Sequence, residues 1–385
     1  MRLIQDLRQV KFAKGLVNLY LGKLLLDFGS NIFGIFFPIF LYQQYKDINL
    51  VILYFIFGYG AYFLTLPWGA KLMTKIGIKN SLILSVIFRI PYFAAFYFFP
   101  ENPLLYSILA WFSITWVRNL FWTPFHTESA RLSDKKSRGK QFSILFSIAS
   151  ILSIVAPLIA GFILDRWAFS VVVVLSLGFC LLSIWPILTL PDSKEEFSWT
   201  YRETWSYFLH PFNRRMVFAY MSDGLVNLVN GVFWPLFIFS ILNEKYQVMG
   251  LLTAGILFFG LVLRLFIGNL LDRWQKRKMV KVGAALNASA WFLKTLVVSG
   301  LQVFLVSTYH ALALIVLQTS LNTLVYEKAA DRGHYIDEYT VIKEMSDGAG
   351  RVFGLVLVAI LLLFLPVQAS FVVAGVMALF VNLLR

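Results

Sequence analysis

Long apolar runs alternate with short polar, proline-rich or glycine-rich breaks along the whole chain. Each run is close to the roughly 20 residues that cross the hydrocarbon layer of a membrane as a helix. The runs are continuous, whereas the strands of a membrane barrel alternate apolar and polar residues. The pattern predicts an all-α integral membrane protein with twelve transmembrane helices, here called spans 1 to 12, at 16–42, 49–67, 80–99, 104–125, 142–164, 167–189, 214–242, 247–268, 280–299, 302–325, 349–365 and 368–384.

Composition supports a membrane protein. Of the 385 residues, 59% are hydrophobic and only 14% are charged, whereas a soluble domain averages about 45–50% apolar residues. The first apolar run is too long for the core of a cleavable signal peptide. Cys180 is the single cysteine and lies within span 6, so disulfides have no role.

The net charge of +14 could indicate a nucleic-acid partner, but the distribution of the basic residues predicts a topology instead. If the N-terminus is cytoplasmic and the spans alternate, 26 of the 34 Lys and Arg residues lie on the cytoplasmic side and three lie outside. This is the bias expected of a protein with many spans. We therefore expect a multi-pass protein of the cell (inner) membrane with both termini in the cytoplasm and no nucleic-acid partner.

The chain contains two copies of one plan. The segment GIFFPIF at 34–40 matches GVFWPLF at 231–237. Each copy also has a set of four residues, at spacings of four, three and four, that lie on one helical face. The chain thus divides into an N-terminal six-helix half (1–190), a cytoplasmic linker (191–213) and a C-terminal six-helix half (214–385), as in one kind of secondary transporter. The two sets are Asp27, Asn31, Gly34 and Pro38 in span 1, and Asp223, Asn227, Asn230 and Trp234 in span 7.

The loop after span 8 resembles a motif of the major facilitator superfamily (MFS), Gly-x-x-x-Asp-Arg-x-Gly-Arg-Arg. The copy after span 2, Ala70 to Lys79, is similar, but Thr74 stands where the family has Asp. The resemblance implies a cytoplasmic gate locked by ion pairs, and Glu128 and Glu327 at inner helix ends are further gate candidates. The loop residues of this expected gate are Gly268, Asp272, Arg273, Lys276, Arg277 and Lys278.

Two further stretches are similar to motifs of this family. Arg118 in span 4 begins a variant of Arg-x-x-x-Gly with Trp122 in place of glycine, and Pro157 and Gly161 in span 5 survive from a motif of proton-driven exporters. The resemblance covers nearly the whole chain and implies the MFS fold, in which spans 1, 4, 7 and 10 line a central cavity. It does not specify a substrate.

Polar stripes on those four spans independently indicate a wet cavity. Span 4 has five such residues at spacings of four, three, four and four, and span 10 has a sparser set. Together with the span 1 and span 7 faces, the expected cavity residues are Asp27, Asn31, Trp111, Thr115, Arg118, Trp122, Asp223, Asn227, Asn230, Trp234, His310 and Gln318.

The intramembrane charges leave alternatives open. Lys23 and Asp27 are one helical turn apart and can neutralise each other, or Arg118 can pair with Asp27 and compete with a proton for it. Arg264 and Lys294 lie near span ends, where we expect their charges to reach the interface. Arg89, in the middle of span 3, has no acidic neighbour in its own helix.

Nothing in the sequence indicates an enzyme. It has no glycine-rich nucleotide loop and no His/Cys cluster with metal spacing, so we expect neither a cofactor nor a metal. The expected function is secondary active transport by alternating access, with proton-coupled efflux of a small organic or amphipathic compound by a monomer in the bilayer. The alternatives are a proton-coupled importer of a sugar-like metabolite and a non-transporting membrane sensor.

Overall fold

The computed structural model describes residues 12–134, 138–193, 197–271, 276–331 and 336–383. Within these ranges, side chains are not described at 138–140, 142, 143, 146, 267–271, 276, 277, 319–331, 336 and 337. The regular elements of the described part are helices. Their order follows the predicted spans.

The N-terminal half contains spans 1 to 6, four of which are divided into two helices. A short helix, Tyr201–Leu209, follows in the linker. The helices of the six spans are Lys14–Gly34 and Phe37–Tyr45, Ile48–Ile76, Ile78–Ile87 and Arg89–Tyr97, Pro103–Asn119 and Trp122–Leu132, Arg138–Arg166, and Phe169–Leu182 and Ile184–Leu188.

The C-terminal half contains spans 7 to 12, of which span 7 is divided in the same way as span 1. A 3₁₀ turn, Pro211–Asn213, precedes span 7, and another, Val381–Leu383, follows span 12. The helices of these six spans are Arg214–Gly231 and Phe233–Ile241, Tyr246–Leu271, Lys276–Lys294, Gly300–Asp331, Ile336–Leu362, and Gln368–Phe380.

Ten of these spans are long and apolar enough in their described residues to cross a membrane. The other two are span 9, with its polar first turns, and span 12, a shorter apolar helix. Both pack in the bundle: span 9 contacts spans 10 and 12 along its length. The predicted all-α membrane fold is confirmed, and the described helices are consistent with twelve spans.

Prolines explain the divided spans. A proline cannot donate a backbone hydrogen bond, and its ring clashes with the carbonyl group four residues earlier. In each of the five divided spans, the first helix ends four or five residues before a proline. These prolines are Pro38, Pro91, Pro124, Pro186 and Pro235.

The two halves meet mainly along spans 5 and 8 and along spans 2 and 11. At the first contact, Gly161 and Gly250 let the two backbones approach closely: a Cβ atom added at Gly161 would lie 2.8 Å from the carbonyl oxygen of Tyr246. At the second, Tyr62, Phe63 and neighbouring apolar residues pack against span 11 and the linker. We call the end of the bundle that carries the linker the linker end, and the opposite end the far end.

The linker packs against both halves. Its helix begins at a capping box in which Thr200 and Glu203 exchange hydrogen bonds. These bonds from Thr200 hold the pKa of Glu203 below its usual value. The linker is therefore a structured connection in its described residues.

The largest difference between the predicted spans and the helices is at the start of span 11. We expected span 11 to begin at residue 349, but its helix begins at Ile336. The first turns carry Glu338, Lys343, Glu344 and Asp347, whose charges resemble those of a loop in the sequence. They are tolerated in a helix because they pair with one another and with the other half of the bundle.

Candidate central binding site

Two adjacent cavities lie in the centre of the bundle. The first has a volume of about 370 Å³ and is walled by aromatic side chains of spans 1 to 4, with polar residues among them. The second has a volume of about 480 Å³ and is mostly aliphatic. The expected cavity residues in the first are Asp27, Arg118, Trp122 and Asn227, and those in the second are Asn31, Asn230, Trp234 and His310.

Gly34 and Gly231 line both cavities. A Cβ atom added at either glycine would meet no other atom within 4 Å. Each ends the first helix of its span, four residues before Pro38 or Pro235. The repeated Gly-x-x-x-Pro pattern therefore places a break and an open face at the same point of both halves, where the cavities adjoin.

Asp27 forms an ion pair with Lys23 one helical turn away. Of the two alternatives that the sequence left open, the structure contains this pair. The Asp27 side chain is still 36% exposed, into the first cavity. The Lys23 ammonium also lies 5.6 Å from the ring centre of Trp122 and 5.4 Å from that of Phe125.

Arg118 projects into the first cavity and lies over an aromatic ring. Its guanidinium carbon is 4.2 Å from the ring centre of Tyr59, and that of Arg351 is 4.8 Å from the same ring. Arg351 is neutralised by Asp347 at 2.5 Å. Arg118 has no carboxylate within ion-pair distance in the described part of the chain, so its charge is not balanced, whereas that of Arg351 is balanced by Asp347.

Arg89 is the second arginine of the first cavity without a carboxylate partner among the described residues. One of its nitrogens donates to Ser30 Oγ at 3.1 Å. Its buried Nε has no partner in the described structure. The proline break at Phe88 positions Arg89 at the start of the second helix of span 3.

The second cavity contains Lys294, and the structure differs here from our interpretation of a charge at the membrane interface. Lys294 is fully buried. Its ammonium donates to Asn230 Oδ1 at 3.1 Å and lies 4.4 Å and 3.8 Å from the ring centres of Trp234 and Trp291. Asn230 and Trp234 thus contact a basic group that the sequence analysis placed at the membrane interface.

Two other polar side chains of the second cavity, those of Asn31 and His310, form hydrogen bonds within the protein. Asn31 donates to Ser153 Oγ at 3.2 Å. The Nε2 atom of His310 lies 2.8 Å from Asn287 Oδ1. His310 is therefore a hydrogen-bonded, buried residue at the cavity wall.

Four of the expected cavity residues are not among those that line the two cavities. Trp111 packs on Phe57 with ring centres 5.0 Å apart, and the hydroxyl of Thr115 donates to the carbonyl of Trp111 at 2.7 Å. Asp223 accepts a hydrogen bond of 3.0 Å from Asn227, one helical turn away. Gln318 is half-buried farther along span 10.

At the linker end, span 11 closes the space beneath the cavities. Tyr62 of span 2 donates to Glu344 Oε2 at 3.1 Å, and Glu344 also lies 3.4 Å from the Lys343 ammonium. The sequence analysis missed these residues because it placed Lys343, Glu344 and Asp347 outside the membrane. The signal available was the spacing of Glu344, Asp347 and Arg351, which puts them on one helical face.

The linker adds further bonds at this end. Lys71 donates to the carbonyl oxygens of Phe197 and Ser198 at 3.0 and 3.4 Å. Thr74 accepts from the backbone of Phe197 at 3.2 Å, and Ser198 donates to Glu338 at 2.7 Å. The span 2 loop motif that lacks its Asp therefore binds the linker, which also contacts span 11.

Glu128 is the gate candidate that the structure describes best. It is fully buried and accepts two hydrogen bonds from Arg131, at 3.0 and 2.7 Å, and one from Ser193 at 3.0 Å. The loop motif after span 8 lies largely outside the described residues. Asp272 and Arg273 are not described, nor are the surroundings of Gly268 and the side chains of Lys276, Arg277 and Glu327. Lys278 is exposed.

A third cavity of about 840 Å³ lies at the far end, among residues at the ends of spans 1, 7 and 11 and in the segments that follow them. Gln43 and Glu244 are on its walls. Tyr246 donates to Gln43 Oε1 at 2.7 Å and links the halves there. The described linker end is closed by spans 2 and 11, whereas the far end contains this large space.

The sequence model of the Major Facilitator Superfamily matches residues 19–337. The chain belongs to the major facilitator superfamily. No curated protein matches the sequence significantly. The family assignment confirms the resemblance inferred from the loop motifs and the repeat.

Solved structures of MFS transporters share the fold. FucP in the outward conformation has 13% identity and a TM-score of 0.63, over 96% of this chain and 97% of that chain. A proton dependent oligopeptide transporter has 14% identity and a TM-score of 0.70, over the same shares of the two chains. At this identity the similarity establishes the fold alone.

Proposed function

We propose that this MFS protein is a proton-coupled secondary active transporter that exports a small amphipathic compound by alternating access. The observation that carries the proposal is the pair of central cavities that adjoin at Gly34 and Gly231. Each half contributes the same face of the same repeated span to this site. A site between two repeats is the arrangement that lets a rocking motion expose it to either side in turn.

The contact between spans 2 and 11 supports a form that is closed at the linker end. Tyr62 and Glu344 join spans 2 and 11 beneath the site. If the linker and both termini are cytoplasmic, as the basic residues predict, this contact is the cytoplasmic gate. Asp272 and the basic residues after it are then a second part of the same gate.

Asp27 is the proposed proton carrier. Its carboxylate is accessible from the first cavity, and its partner Lys23 belongs to the same helix. Protonation of Asp27 would release Lys23, and a change in the charge of this pair would bias the two states of the transporter. One charge moving through 100 mV is worth roughly 2.3 kcal/mol, or about fiftyfold in concentration.

The aromatic wall of the first cavity favours a substrate with an apolar or ring-bearing part. Proton-driven import of a sugar-like compound is the second candidate. One of the similar structures is described as the E. coli fucose:proton symporter, FucP, and the amide of Asn227 can form hydrogen bonds with the hydroxyl groups of a sugar. The cavities argue against a sensor that does not transport.

Reconstitution of the full-length protein in liposomes with an imposed pH gradient tests the proposal. Screening of metabolites and amphipathic dyes should identify a compound that moves against its gradient towards the acidic side. Asp27→Asn should abolish this accumulation but retain counterflow of the same compound. Asp223→Asn, at a carboxylate that is not among the lining residues of either cavity, should retain both. Full coupling of Asp27→Asn at normal protein amounts would refute the proposed role of Asp27.

A further inference from the structure

The two central cavities have an excess of positive charge. In the first, Asp27 is neutralised by Lys23 and Arg351 by Asp347, which leaves Arg89 and Arg118. In the second, Lys294 is the one lysine or arginine among the described residues of the lining. These three cations have no carboxylate within ion-pair distance in the described part of the chain.

This excess is energetically unfavourable in the empty protein. A buried ion without a counter-ion loses several kcal/mol of solvation. The rings of Tyr59, Trp234 and Trp291 compensate part of this loss through cation–π contacts. A ring carries no net charge, so the guanidinium groups of Arg118 and Arg89 leave the first cavity with positive charge that attracts an anion.

We propose that the transported compound is an organic anion. Its acidic group binds to Arg118 and Arg89 in the first cavity, and its apolar part extends past Gly34 and Gly231 into the second. The inference rests on the proposed function and names the substrate class of that site.

The shapes and walls of the cavities support this orientation. Guanidinium groups bind carboxylates and phosphates through forked, charge-assisted hydrogen bonds, which an ammonium cannot match. Arg118 and Arg89 both line the first cavity, and the buried Nε of Arg89 is an unused donor in the described structure. The walls of the second cavity are largely aliphatic, with Ile238, Ile256 and Leu257 among them, and suit the apolar part.

The test compares acids with their own neutral amides on the purified full-length protein in lipid nanodiscs. Four matched pairs serve as probes: benzoate, cinnamate, indole-3-acetate and octanoate, each with its carboxamide. Binding is measured by calorimetry at a pH where the acids are ionised. At least one acid should bind about tenfold or more tightly than its amide, as expected for a charged hydrogen bond. A series in which no acid binds more tightly than its amide would overturn the inference.

Substitutions assign the preference to the cavity. Arg118→Gln should remove most of the tenfold preference for the acid, and Arg118→Lys, which keeps the charge but not the fork, should restore part of it. Arg264→Gln is the matched control because Arg264 is an exposed arginine of span 8 that lines neither cavity. An acid preference that survives Arg118→Gln would place the anion elsewhere and refute the proposed site.

Flux measurements on the same probes separate the two proposals. Accumulation of a neutral amide but not of its acid would support the proposed transport and refute the proposal that the substrate is an anion. The opposite result is an acid that binds tightly through Arg118 but is neither accumulated nor exchanged by proteoliposomes. It would support the anion-binding site and refute the proposed transport.

Discussion

Tyr62 and Glu344 join the two halves of the protein through one buried hydrogen bond of 3.1 Å, between residues 282 positions apart. Tyr62→Phe should shift the protein towards forms that open at the linker end, since Glu344 loses a donor from the other half. The lost bond is worth about 1 kcal/mol, roughly a fivefold change in population. Reaction of single cysteines introduced along span 2 with reagents added on the linker side should rise accordingly.

Tyr54→Phe is the matched control for this prediction. Tyr54 lies on the same span, and its buried hydroxyl has no partner in the described structure. Its removal should leave labelling unchanged. Equal effects of the two variants would show that tyrosine hydroxyls on span 2 act on packing and not through the bond between the halves.

The open faces of Gly34 and Gly231 predict a steric block. Gly34→Leu or Gly231→Leu should fill the junction of the two cavities and abolish substrate binding and transport. Folding should be retained because no atom lies within 4 Å of the added Cβ and because leucine favours a helix by about 1 kcal/mol over glycine. Binding assays and thermal unfolding of the same samples check both expectations.

Gly178→Leu provides the comparison, since Gly178 has equally open surroundings but lies on the exposed face of span 6. It should change neither binding nor transport. Normal transport by both cavity variants would mean that the substrate does not pass the junction.

The repeat explains why much of this site could be predicted from the sequence. Asp27 and Asn227 lie on a cavity wall because their positions on the helical face follow from spacing alone. The glycines and prolines of the repeat also mark the break in each span. These features depend on residues that are neighbours along one helix.

Features that depend on contacts between distant helices could not be predicted. Lys294 resembles an interfacial lysine in sequence, and only the packing of spans 7 and 9 shows that it is enclosed by Trp234 and Asn230. Glu344 resembles a loop residue because its partner Tyr62 belongs to the other half. A one-dimensional pattern does not reveal which charges another helix will satisfy.

The topology remains a prediction that reporter fusions can check. The basic residues predict that both termini and the linker face the cytoplasm. Fusions at Ser193 and after Arg385 should both report that compartment, whereas a fusion at Lys46 should report the other side. An external signal from either of the first two would contradict the assignment of the linker end as the cytoplasmic gate.

Lys294 gives a prediction in which stability and function change in opposite directions. Lys294→Met keeps an unbranched side chain of similar length but removes a buried charge that has no carboxylate partner in the described structure. Replacement of buried ions by apolar groups is often neutral or stabilising by about 1–4 kcal/mol.

The bond to Asn230 and the contacts with two indole rings offset part of this gain. We therefore expect the melting temperature of the purified protein to stay level or rise, while transport is reduced because Asn230 and Trp234 lose the group that holds them at the cavity wall. Lys281→Met is the control on the same helix, where the lysine is exposed, and it should leave both quantities unchanged. A melting temperature lowered by several degrees in Lys294→Met, with transport per folded molecule intact, would show that the ammonium serves packing between spans 7 and 9 and not the substrate.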